Sequence, residues 1–286
     1  MQRTLLAVPN VSEGRSRHAI DAIGAAFGSP LLNVHADADH HRSVFTLAGA
    51  PGTLARRVTD GAAAALDQVR IDQHTGIHPR VGAIDVAPIV YRSEVDRGAA
   101  CAEALVLADL LGDQLQLPVF LYGILADGRT RAQLRRGGPA TLAQRIAAGE
   151  LTPDFGPRRL HPTGGAVLVA ARAPLVAFNV ELAAPATERE AKAIAALIRE
   201  GGGEGLPGLR AIGLWLSGPR VAQVSMNVED HRATPLATVV EAIRRHAVAV
   251  AAELVGLAPA AAFDGFPADL LVRNRDTIEE ALTRHQ

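Results

Sequence analysis

A rhythm that runs twice through the chain limits its fold more than any single motif does. Leu5-Leu6-Ala7-Val8-Pro9-Asn10 and Leu175-Val176-Ala177-Phe178-Asn179-Val180 are short apolar runs of the same character. Each opens a succession of helix, strand, strand, helix and strand signals. In the first half Ser16 is placed to cap a helix with Ile20, Ile23 and Phe27 on one face. Leu31 to Val34 and Val44 to Leu47 read as strands separated by a polar stretch, His35 to Ser43. Thr53 heads a second helix striped by Leu54, Val58, Ala62 and Leu66, and Ile84 to Val90 reads as a buried strand. A third helix is expected from Ser93, with Asp96 placed as in a capping box, and strands at Val119 to Tyr122 and Ala166 to Ala170. Past a break near Arg172-Ala173-Pro174, the second half offers a strand at Leu175 to Val180 and a helix from Thr187 to Arg199. A hairpin around Ser217 to Arg220, a helix headed by Thr234-Pro235, a strand near Leu254 and a terminal helix from Asp276 follow. The expectation is an α/β (α+β) chain of two ferredoxin-like β-α-β-β-α-β lobes, 1–173 and 174–286. They would be a duplication, with the ligand cleft between the two sheets.

Composition removes several function classes. The 286 residues are 48% hydrophobic and 21% charged, with a formal net charge of −1, so no global field draws nucleic acid or an anionic membrane. No apolar run approaches the roughly 20 residues of a membrane span. Leu5 to Val8 is too short for a signal-peptide core. The single cysteine, Cys101, lies in an apolar helical pattern and reads as core filler. A soluble cytoplasmic protein, without nucleic-acid or membrane partners, is expected.

Chemistry gathers in the first half. Pro9 to Arg15 follows a strand and precedes a helix, where backbone N–H groups hold anions and Asn10 and Ser12 add hydrogen bonds. In Asp37-Ala38-Asp39-His40-His41-Arg42-Ser43, Arg42 is suited to grip a carboxylate. His74 to Asp85 packs two histidines, an arginine, an aspartate and two glycines before a buried strand. Pro79 holds His78 extended. That density of imidazole and guanidinium suits an anionic substrate better than a solvated turn. His74 and His78 also have metal-ligand spacing, with Asp37, Asp39, His40 and His41 as further donors, so a metal-dependent hydrolase stays open. Gly76 and Pro79 oppose the helix that would put both imidazoles on one face. In the second half Gln223, Ser225 and Asn227 share one strand face, as ligand-binding groups would.

These words resemble the glutamate formiminotransferase family. The matching stretches are Val8 to Arg15, Asp39 to Ser43, His78 to Val86, Pro118 to Gly123, Pro153 to Pro157, Ala177 to Val180 and Ala222 to Asn227. They run in order from Leu5 to about Leu257. The resemblance implies transfer of a formimino group from N-formimino-L-glutamate to N5 of tetrahydrofolate, the co-substrate, with no metal. It places the catalytic histidine on His78. The folate-binding loop falls on Gly156, Pro157, Arg158, Arg159, Leu160, His161, Pro162, Thr163, Gly164 and Gly165. Two α/β lobes, a homodimer and histidine breakdown are implied too. An imidazole titrating near neutrality would take the N5 proton and protonate the leaving nitrogen. Asn10, Asp39, Arg42, Arg80, Gln223 and Asn227 are the expected substrate contacts, with Arg42 and Arg80 on carboxylates and Asp39 orienting His78 or a developing cation.

Two departures stand out: His41 replaces a family asparagine, and the match weakens from Ala258 onward. The resemblance is to the stand-alone form, which implies a separate cyclodeaminase. A folate-dependent glutamate formyltransferase and a non-catalytic folate-binding protein are the other readings.

Overall fold

The computed structural model describes residues 3–76 and 78–285. It divides into two compact units, Met1–Ala173 and Pro174–Gln286. The first unit is built on a seven-stranded sheet: β1 (Leu5–Ala7), β2 (Asn10–Val11), β3 (Leu31–Asp37), β4 (Arg42–Gly49), β5 (Ile84–Val90), β6 (Val119–Leu121) and β7 (Val167–Arg172). The strand order is β1-β4-β2-β5-β7-β6, with β3 on β4. Helices α1 (Arg17–Phe27), α2 (Leu54–Gln68) and α3 (Arg97–Gln114) bury one face through a core that includes Phe27, Phe45, Leu54, Val58 and Leu107. Phe27 and Phe45 meet at 5.0 Å between ring centroids. Gly61 makes that possible, since a Cβ there would lie 2.1 Å from the Phe27 ring. Full burial of a side chain of this size stabilises by roughly 1.5–3 kcal/mol.

The opposite face is covered only in part. Two short helices, α4 (Arg131–Arg135) and α5 (Gly138–Ala147), pack Leu134, Leu142 and Ile146 onto Val86, Phe120, Leu168 and Ala170. The sequence reading left these helices unassigned.

In the second unit β8 (Val176–Leu182), α6 (Glu188–Ile198), β9 (Leu209–Leu216), β10 (Val221–Val228), α7 (Leu236–Arg244) and β11 (Ala249–Val255) follow the expected β-α-β-β-α-β succession. The sheet order is β12-β11-β8-β10-β9, with β12 at Val272–Arg273, and α8 (Ile278–Arg284) ends the chain's regular structure. The inward residues of β8 and β10, such as Phe178, Val180, Val224 and Met226, pack against α6 and α7. The other sheet face therefore carries Asn179, Glu181, Gln223, Ser225 and Asn227, with Ser225 opposite Asn179 and Gln223 opposite Glu181.

Several local expectations need correction. The polar stretch from His35 to Ser43 is no long connection: β3 runs to Asp37, β4 starts at Arg42, and they pair as a hairpin. Ser16 and Thr187 cap their helices through their side chains. Thr53 and Ser93 make no side-chain cap. Thr234 instead donates to the Pro207 carbonyl, and helix α7 starts after Pro235.

Candidate active site

The polar residues of the first unit converge where β2, β4 and β5 lie side by side. Asn10 in β2 is oriented by its Nδ2, which donates to the Val8 carbonyl at 2.7 Å. Its Oδ1 accepts Nε and Nη2 of Arg42 at 3.0 and 2.6 Å. The remaining Nη1 of Arg42 donates to Oδ2 of Asp85 at 2.7 Å and lies 2.8 Å from Nδ1 of His78. Asp85 is fully buried and also accepts the Val81 N–H at 2.9 Å. Arg135, at the end of α4, pairs with the same carboxylate. Packing of the neighbouring Leu134 into the core aims it there.

Guanidinium has no acceptor, so Arg42 must donate to Nδ1 of His78. A neutral His78 then carries its proton on Nε2. Burial lowers the His78 pKa well below the ordinary value, and the cations Arg42 and Arg135 lower it further. Burial alone would raise the Asp85 carboxyl, but Arg135 and Arg42 more than offset it and hold it ionised. Burial pushes Arg42 down to about 10, still a cation at neutral pH. His78 is therefore a neutral imidazole presenting an N–H.

A second pair lies beside it. Asp37, at the end of β3, accepts the His40 backbone N–H through Oδ1 and faces His40 Nδ1 through Oδ2, both at 2.8 Å. Burial opposes ionisation of Asp37, but hydrogen bonding to His40 and its charge lower its pKa overall. The His40 ring is buried, its Nε2 has no partner among the described residues, and its centroid is 6.4 Å from that of His78.

The loop carrying His78 is tied down by Arg80. Its Nη1 donates to the carbonyls of Gly76 and His78 at 2.9 and 3.2 Å, and its Nη2 to that of His74 at 2.6 Å. Arg80, expected on a substrate carboxylate, thus supports the loop through main-chain carbonyls. Asp39, expected to orient His78, is half-buried and makes no hydrogen bond or ion pair among the described residues. Arg42 holds the ring instead. His41 has φ 51°, a left-handed conformation that asparagine adopts readily. Its ring stacks on His74 at 4.2 Å and accepts the Gly14 N–H at 3.1 Å. Gly14 leaves no room for a Cβ, which would lie 2.1 Å from the Asp37 carbonyl oxygen.

The expected folate-binding loop is brought to the same segment. His161 and Gly165 exchange backbone hydrogen bonds at 2.9 and 3.0 Å. Gly164 accepts the Ala83 N–H at 2.8 Å, and Thr163 the Ile71 N–H at 2.8 Å. Gly82 and Gly165 face each other; a Cβ on Gly82 would lie 1.9 Å from the Ala166 carbonyl oxygen, and Gly165 has φ +72°. Arg158 and Arg159 are exposed on this loop. Within the second unit, Gln223 is buried with both amide atoms unpartnered among the described residues, and Asn179 approaches Glu253 at 3.4 Å.

Arg135 escaped the sequence reading. A signal for α4 was present: Thr130 and Gln133 form a capping box, and the motif T-x-x-Q announces a helix start.

Residues 4–172 match the model of the formiminotransferase domain, N-terminal subdomain, and residues 177–277 that of the formiminotransferase domain. The chain is 35% identical over 277 residues to a glutamate formimidoyltransferase of Streptococcus pyogenes serotype M1, covering 92% of this chain and 91% of the relative. A glutamate formimidoyltransferase of Thermoplasma acidophilum is 32% identical over 266 residues, 88% of this chain and 87% of that one. The formimidoyltransferase-cyclodeaminase of Rattus norvegicus is 36% identical over 278 residues, 91% of this chain but 51% of the relative. The chain belongs to the formiminotransferase family.

Proposed function

We propose that the protein transfers the formimino group of N-formimino-L-glutamate to N5 of tetrahydrofolate, giving 5-formiminotetrahydrofolate and L-glutamate. The observation that carries this reading is the contact of Arg42 Nη1 with Nδ1 of His78, on a segment bonded to the 156–165 loop through the Ile71 and Ala83 N–H groups. N5 attacks the amidine carbon, and the C=N electron pair moves onto nitrogen. An N–H fixed in a buried site stabilises that nitrogen as its electron density grows. Because Arg42 occupies Nδ1, His78 meets the substrate as a donor. Arg80 keeps its loop in place, and Asn10 and Asp85 keep Arg42 in place. Asp39, Gln223 and Asn227 remain our candidates for contact with the glutamate portion, and Gly156 to Gly165 for the folate.

The strand succession shared by the two units supports duplication of one ferredoxin-like plan. The name of the rat relative joins two activities, and its length is about twice that matched here. This supports a separate cyclodeaminase acting on the product in histidine breakdown. We read the protein as a cytoplasmic homodimer. No helix among the described residues is long and apolar enough to cross a membrane.

The test is a steady-state assay with formimino-glutamate and tetrahydrofolate, run beside formyl-glutamate and with and without a chelator. His78→Ala is expected to lower the rate at least about 100-fold while folate binding, measured calorimetrically, persists. Near-normal turnover in that variant would remove His78 from the mechanism, and preference for the formyl donor would replace the substrate.

A further inference from the structure

His40 is a buried ionisable group beside His78 that the mechanism leaves unused. Its ring nitrogens are not equivalent. Nδ1 lies 2.8 Å from a carboxylate oxygen of Asp37, which has no proton to give and so requires an N–H there. In the neutral ring Nε2 is then a bare lone pair, buried and without a partner among the described residues. His78 has the complementary arrangement, because Arg42 donates to its Nδ1 and leaves the N–H on Nε2. Two neighbouring imidazoles, their ring centroids 6.4 Å apart, thus carry one acceptor and one donor.

We infer that His40, backed by Asp37, is the general base that takes the proton from N5, while His78 is the hydrogen-bond donor at the formimino nitrogen. The inference rests on the formimino-transfer reading of the site. In the first half-reaction the substrate enters as its amidinium cation: the bond from N5 to its carbon forms, and the C=N pair moves onto the nitrogen facing His78, which becomes a neutral amine whose new lone pair accepts from Nε2–H. The N5 proton passes to Nε2 of His40. The resulting imidazolium keeps its Nδ1–H on Asp37, which carries the opposite charge. In the second half-reaction the nitrogen's pair re-forms C=N, the bond to the glutamate nitrogen breaks, and that nitrogen takes the proton back from His40. Both rings end as they began. A plain structural role accounts for less. The contact of the His40 N–H with Asp37 Oδ1 already fastens the turn, and an asparagine would serve it. A turn staple has no need of a buried ring nitrogen left unmatched, which costs free energy.

Histidine labelled with ¹⁵N reports which ring nitrogen carries the proton, with signals assigned from the His40→Asn and His78→Asn spectra. We expect His40 protonated on Nδ1 and His78 on Nε2. His40→Asn should lose at least about 100-fold in kcat with KM values within about 3-fold of wild type. Asp37→Asn, which removes the fixed charge and lets the ring reverse its proton, should lose at least about 10-fold in kcat. An Nε2-protonated His40 in the wild type, or a His40→Asn variant with kcat within about 3-fold, overturns the inference. Should His40→Asn not fold, Asp37→Asn decides: full kcat with the ring proton reversed overturns it equally. A wild-type protein that transfers no formimino group sinks the functional reading itself. An active wild type with an active His40→Asn variant sinks only the assignment of the base.

Discussion

Arg42 has donors and no acceptor, so its contact with the His78 ring fixes where the ring proton sits in a way that a contact between two ambiguous groups would not. The same buried chemistry has a cost in acid. Burial, with Arg80 and His41 adding to it, pulls His74 down to about 4, and His78 also lies well below the ordinary histidine value. Both rings stay neutral in the folded protein at a pH where the unfolded chain takes protons. The unfolded state binds more protons below about pH 6.5, so this part of the stability is complete above that value and falls as pH descends toward the folded pKa values. Each such proton contributes a slope of up to about 1.4 kcal/mol per pH unit. The urea midpoint is expected to fall steadily from about pH 7 to pH 5, and His74→Gln should flatten the slope. An unchanged midpoint across that interval would show that neither ring resists protonation.

At the scale of elements, α2 takes its N-terminal cap from another helix. Glu103 of α3 is buried and accepts the Ala55 N–H at 2.6 Å as well as that of Gly52. Thr53, at the position where a cap is expected, donates to the Ala50 carbonyl. Glu103→Ala should lower unfolding free energy by about 1–3 kcal/mol, measured in denaturant, and Glu103→Gln should recover part of it. A loss below about 0.5 kcal/mol would show that water replaces the carboxylate. The same case marks what a sequence reader can see. Ile84–Val90 was legible because a run apolar but for Asp85 suits a strand buried on both faces. Ser16 and Thr187 were legible because their partners lie three residues on. A cap supplied by Glu103, 48 residues beyond Ala55, leaves no local trace. Polarity hid the hairpin of β3 and β4, since a loop and the helix-free face of a sheet both require polar residues. Within the candidate site the dense motifs drew attention to Arg42, His78 and Asp85, but Asp39 was the residue expected to orient His78. Side-chain direction gives that role to Arg42. Arg135 meets Asp85 across 50 residues, from a helix of five residues that is too short to show a periodicity.

Across the whole molecule, the apolar residues fall into cores that each stay within one unit, with Val176 to Leu270 forming that of the second. A fragment of Pro174–Gln286 is therefore expected to unfold cooperatively by circular dichroism. A gradual, featureless melt would show that its core is insufficient alone. The first unit permits no comparable subdivision around Gly82 and Gly165. The turn at Gly165 and the chain entering β5 touch through main-chain atoms, with no side chain between them to absorb a change. On the proposed reading, recognition and chemistry are consequently inherited as one piece. An engineer who transplants the 156–165 segment to alter cofactor preference must bring its glycine counterpart along, or the imidazole at position 78 shifts with the graft.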